Sequence, residues 1–216
     1  SRMANARIAV SGSLAGWVED LAGTAVTTLA MPVSLVLEGL PSEAPEDGYL
    51  LAVGRLVPEK GFDVLVDAVA QLNENQRPEV VIVGVGPQRQ TLSERARRRG
   101  VKLHLPGAVP HAELADWYRN ARMVVVPSRR EGFGLVAAEA AAMGRTAIGT
   151  RVGGIPTVVN DGISGVLIDP DDVEGLKDAL LEADPGMGAL GPGLVTQLSV
   201  DHHGRHLRQI CEDLLN

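Results

Sequence analysis

The stretch RMVVVPSRREGFGLVAAEAAAMGRTAIGT, Arg122 to Thr150, holds two short β-rich runs separated by an alanine-rich segment. Arg122–Ser128 and Arg145–Thr150 are strands by their consecutive apolar positions, the pattern expected when both faces of a strand are covered. Gly134–Gly144 between them is a helix whose small residues Ala137, Ala138, Ala140, Ala141 and Ala142 allow close packing. Strand, helix, strand is the crossover unit of a parallel sheet, and such crossovers are right-handed.

The same alternation extends outward. Tyr49–Gly54, Glu79–Gly84, Val101–Gly107 and Ser164–Asp169 are further strands, and Phe62–Asn75, Pro87–Gly100, His111–Ala121, Ile155–Gly162 and Asp171–Ala183 further helices. In the first of these, Phe62, Leu65, Val66, Val69 and Leu72 share one face at helical spacing. The fold class is therefore α/β, a Rossmann-like doubly wound parallel sheet occupying residues 49–200. Residues 1–48 differ. Arg7–Gly23 reads as a strand and a helix with Ser11 or Ser13 as N-cap, Ala25–Leu35 as another strand, and Gly39–Gly48 as a linker dense in Pro, Gly and acids. Ala183–Gly193 reads as a loop, and residues 201–216 as a closing helix with Leu207, Ile210, Cys211 and Leu214 on its apolar side.

Composition excludes several classes. Of 216 residues, 45% are hydrophobic and 22% charged, which is globular. The net charge of −7, with basic residues dispersed apart from Arg95–Arg99, speaks against nucleic acid as a partner. The single cysteine, Cys211, removes internal disulfides and thiolate-rich metal sites. No apolar run approaches the roughly 20 residues of a membrane span, and no signal-peptide pattern opens the chain. A soluble cytoplasmic protein is expected, with Ser1–Arg2 ahead of Met3 a cloning remnant.

In a doubly wound sheet, ligands sit beyond the carboxyl ends of the strands. The loop after Tyr49–Gly54 carries Arg55 and Lys60, with Gly61 opening a helix. Two cations and a helix N-terminus suit a diphosphate and could neutralise it without a metal ion; a solvated surface loop is the plainer alternative. After Arg122–Ser128 come Glu131, then Gly132, Phe133, Gly134 and Leu135, whose backbone amides can approach a ligand closely. Glu139 follows inside the helix. Carboxylates accept hydrogen bonds from vicinal hydroxyls, so one acid for a sugar and one for a ribose would account for both. Read alone, the pair is slightly better explained as a helix N-terminal charge at Glu131 and a surface glutamate at Glu139.

Taken in order, GRLVPEKG, VGVGP, PGAVPHAELADWYRNARMVVVPS, EGFGLVAAE, VGGIPTVV and NDGISGVLIDPDD resemble the C-terminal half of the family-4 retaining glycosyltransferases, from about Tyr49 to Glu182. The resemblance implies a GT-B enzyme, two facing Rossmann-like domains with the active site between them, and an E-x7-E element at Glu131 and Glu139. It implies that Arg55 and Lys60 bind the donor diphosphate. Glu131 would then be the catalytic-side acid on the donor sugar hydroxyls, Gly132–Leu135 would offer amides to sugar and phosphate, and Glu139 would hold the ribose. The Gly107–His111 loop, through Gly107 and Val109, would neighbour the base. Thr157 stands where the family often has an acid. Residues 1–48 resemble the last strand–helix–strand of the family's N-terminal domain plus the interdomain linker, so the chain is expected to be a donor-binding half. It would be an expressed fragment or one partner of a split enzyme, weakly binding and inactive alone.

The implied partners are a nucleotide-sugar donor and an N-terminal domain in cis or in trans, with room for peripheral membrane association of the full-length enzyme. Neither the base, the sugar nor the acceptor is legible. No cofactor and no metal are expected. Rival readings are a non-catalytic nucleotide-sugar module and an epimerase or phosphorylase of GT-B shape. Asp169-Pro170-Asp171 imitates a D-x-D metal motif but precedes a helix, where Asp169 to Asp172 act as capping and first-turn charges. Gly84-Val85-Gly86 lacks the third glycine of a dinucleotide fingerprint. His202 and His206 have zinc-pair spacing with no clear further ligand nearby.

Overall fold

The computed structural model describes residues 7–33 and 43–215. Its body is a parallel sheet of β3 (Tyr49–Val53), β4 (Val80–Val83), β5 (Leu103–Gly107), β6 (Ala121–Val126), β7 (Ala147–Thr150) and β8 (Gly165–Ile168). The strands lie in the order β5-β4-β3-β6-β7-β8. Leu51 is in register with both Val81 and Val124, and Val126 with Gly149. The expected doubly wound α/β fold is thus the observed one, and its strand order reverses between β3 and β6, where such sheets open a crevice.

Both faces are covered because the strands alternate two apolar sets. Leu51, Val81, Val124 and Val126 pack with α4 (His111–Arg119) and α5 (Leu135–Ala142), through Leu114, Tyr118, Ala137 and Ala141. Leu50, Ala52, Val80, Ile82, Met123 and Val125 pack under α2 (Phe62–Gln71), α3 (Arg89–Arg99) and α6 (Val173–Glu182), through Phe62, Leu65, Leu92 and Leu176. The five residues assigned to one face of α2 are all buried. No helix among the described residues is long and apolar enough to cross a membrane.

The N-terminal piece is slight. β1 (Ile8–Ala9) and β2 (Thr27–Thr28) pair in parallel around α1 (Gly12–Ala22), with Ser11 as N-cap accepting from Leu14 N. The strand expected over Ala25–Leu35 shrinks to β2 and one bridge, Val33 to Ser199. Pro32, lacking a donor, breaks the run. Ser1–Arg2, Ser34–Leu35 and the Gly39–Ser42 part of the linker lie outside the described residues.

Two other expectations need correction, and the closing helix forms as expected. Ile155–Gly162 holds only a 3-10 turn, Ile155–Thr157. Thr157 Oγ1 donates to Gly154 O at 2.6 Å, a local side-chain bond that competes with continuing the helix. Ala183–Gly193 is not a loop: a 3-10 helix, Pro185–Leu190, runs into α7 (Gly191–Leu194). Gly188 and Gly191 serve backbone packing, since a Cβ on Gly188 would meet Arg145 C at 2.2 Å and one on Gly191 would meet Ala141 O at 2.5 Å. Finally, α8 (Val200–Leu215) does form, but Leu207 and Cys211 on its apolar stripe are exposed and the Leu214 side chain lies outside the described set.

Candidate functional site

The loops after β3 and β6 emerge side by side at the reversal of strand order. After β3 the chain passes Arg55, which is exposed, and enters a 3-10 turn, Pro58–Lys60. Gly61 ends that turn at φ 65°, and a Cβ there would sit 1.9 Å from Pro127 O. Only glycine lets the two loops touch. The contact delivers Lys60 to Glu131: Nζ donates to Oε2 at 2.7 Å, with the side chains 21% and 14% exposed.

Glu131 is held from several sides. Ser128 Oγ donates to Oε2 at 3.4 Å, and Oε1 accepts the amide of Gly132 at 3.2 Å. Ser11, from the N-terminal piece, donates to Gly132 O at 2.7 Å, which ties that piece to the same loop. The VGGIP segment presses from below, since a Cβ on Gly153 would lie 1.8 Å from Glu131 O. Phe133 turns into the core, while Gly134 takes φ 93° and starts α5 without a side-chain cap. The first amides of α5 are therefore available to an acceptor at the crevice.

Glu139 occupies a different environment. Every residue from Ala137 to Ala141 is buried, so α5 is covered on all sides and Glu139 is no surface glutamate. Its Oε2 accepts the Tyr118 hydroxyl at 2.7 Å. Burial pushes the Glu139 carboxyl above its ordinary value, against the Tyr118 hydrogen bond and the nearby His111, which pull it down. Tyr118 is itself raised well above its usual range by burial and by Glu139. Gly107, at φ 93°, ends β5, and the half-buried Val109 sits on the loop that leads from it to α4.

Reasoning on the sequence missed Tyr118, Arg129 and the second role of Ser11. Tyr118 carried one usable signal, a tyrosine inside an otherwise amphipathic helix preceding a buried strand. The rival motifs resolve structurally. Asp172 caps α6 by accepting Gly175 N at 2.8 Å, and Asp171 pairs with Arg129. Gly86 is small because a Cβ would meet Leu56 O at 2.4 Å. No group of three metal-ligating side chains occurs among the described residues, His202 and His206 included. A larger hollow of about 960 Å³, lined by Glu43, Arg122 and Asp184, opens at the amino ends of the strands, away from this crevice.

Comparison with known proteins places the chain in a family. The sequence model described as glycosyl transferases group 1 matches residues 41–183. A D-inositol 3-phosphate glycosyltransferase 2 of Catenulispora acidiphila is 41% identical over 172 residues, covering 73% of this chain and 40% of that protein. Sucrose-phosphate synthase from Thermosynechococcus elongatus superposes with a TM-score of 0.78 at 29% identity, over 96% of this chain and 58% of that one. Anabaena Alr3699/HepE, in complex with UDP and glucose, shares the fold with a TM-score of 0.81 at 20% identity, over 100% of this chain and 64% of its own. The match thus covers only 40% of the length of the curated relative.

Proposed function

The chain belongs to the group 1 glycosyl transferases, and on that premise we propose that it is the donor-binding half of a retaining transferase using a nucleoside-diphosphate sugar. The observation that carries this reading is the 2.7 Å contact of Lys60 with Glu131 across the reversal point of the sheet. An ammonium has three donors. Pairing with Glu131 leaves two for phosphate oxygens and fixes where they point.

In this reading Lys60 and the exposed Arg55 neutralise the diphosphate without a metal ion, and the backbone from Gly132 to Leu135, leading into the uncapped start of α5, receives sugar and phosphate oxygens. Glu131 takes the sugar hydroxyls, Glu139 the ribose, and the Gly107–Val109 loop the base. An Anabaena neighbour of the same fold is in complex with UDP and glucose, ligands of the class this reading invokes. Glu139 is a credible ribose acceptor because Tyr118 engages one carboxylate oxygen, Oε2, and Oε1 has lone pairs for a hydroxyl. The acceptor, an inositol phosphate by the relative's name, would be bound by a second domain supplied in cis or in trans.

Isothermal calorimetry without added metal tests the site. A nucleoside diphosphate should bind at least about tenfold more tightly than the matching monophosphate, the span of one good charge-assisted contact. Equal affinity for the two would refute the phosphate assignment.

A further inference from the structure

Asp171 is the one non-glycine residue with positive φ, 64°, among the described residues, and it stands in the motif that the function leaves unused. Strain of that kind persists where surrounding contacts over-determine it. The contact in question is Arg129, whose Nε donates to Asp171 Oδ1 at 2.6 Å. The rest of the guanidinium is equally committed. Nη1 and Nη2 chelate the Asp63 carboxylate at 2.8 and 2.9 Å, and Nη1 also donates to Pro58 O at 2.6 Å. The Arg129 amide donates to Glu59 O at 2.8 Å.

These partners bracket Lys60. Pro58 and Glu59 precede it on its turn, Asp63 follows it in the first turn of α2, and Arg129 lies two residues before Glu131. We propose that Arg129 is a positioning residue that locks the Lys60 turn against the Glu131 loop, with Asp171 bracing it, and so creates the preference for a second phosphate. This rests on the donor-binding reading given above. The chemistry suits arginine alone: a planar fork can chelate one carboxylate and still reach a carbonyl and a second acid, whereas lysine is a point charge. Burial pushes Asp63 up, but Arg129 outweighs it and holds the carboxyl below its ordinary value.

The test measures affinity for nucleoside mono- and diphosphates, by calorimetry, in Arg129→Ala, Arg129→Lys, Asp171→Asn and Lys60→Ala chains. Positioning predicts that Arg129→Ala loses about tenfold in diphosphate affinity, as expected for a displaced binding group, while monophosphate affinity stays within about twofold. Arg129→Lys should move in the same direction, and Asp171→Asn should lose less. Should the alanine variant fail to fold, the Arg129→Lys and Asp171→Asn chains decide by the same ratio. Unchanged diphosphate preference in those two chains, or equal losses for both ligands, overturns the inference. Lys60→Ala separates the two levels. If it too leaves the preference intact, the donor-site reading itself fails; if it abolishes the preference and the Arg129 variants do not, only the positioning role falls.

Discussion

Glu131 and Glu139 stand in one motif, yet two regions of the molecule satisfy them by opposite means. Glu131 lies in a loop, is part-exposed, and is satisfied by a cation, a hydroxyl and an amide. Glu139 lies inside a helix that is buried all round, takes a hydrogen bond from a tyrosine hydroxyl, and has His111 nearby to favour its charge. A part-exposed ion pair keeps some contact with water, so the donors it does not use stay open. A buried carboxylate has little of that contact, so its geometry is set before a ligand arrives. The motif therefore combines a part-exposed charged edge with a buried, hydrogen-bonded floor.

The sharpest way to break this contrast is to remove the floor's support. Tyr118→Phe leaves a buried carboxylate oxygen unpaired and should destabilise the chain by about 2 kcal/mol at neutral pH, as read from urea melts. A change within error would mean that Glu139 finds another donor. Next in size is the pH dependence of Glu139. Its carboxyl is raised chiefly by burial, so its contribution to stability is present below the ordinary value of 4.5 and fades as pH climbs through the raised folded value. Wild type should therefore lose stability relative to Glu139→Gln as pH rises from about 4.5, by about 1.4 kcal/mol for each unit of upward displacement. A slope of opposite sign would show Glu139 to be stabilised as the anion. The smallest effect belongs to the edge. Lys60→Met should change stability by no more than about 1 kcal/mol, since part-exposed ion pairs contribute little. A larger loss would make Lys60 a structural residue and blur the difference between the two regions.

Much of this was legible in the sequence. The consecutive apolar runs marked six strands, α2 showed its buried face, and the order of motifs pointed to the family that the comparison finds. Elements defined by glycine were read less well. Gly188 and Gly191 look like loop formers, yet they sit in helical turns because neighbouring backbones leave no room for a side chain. Local propensity cannot distinguish a glycine needed for its dihedrals from one needed for its size.

Pattern and composition determined that this chain would build a parallel sheet with its chemistry on the loops at one end, because periodicity and turn residues act over a few neighbours. Only the tertiary structure decided that Lys60 meets Glu131, that Tyr118 rather than solvent satisfies Glu139, and that Arg129 ties Asp63 to Asp171. Those contacts join residues 21 to 71 positions apart. Their partners are chosen by strand order and helix packing, which no short stretch of sequence contains.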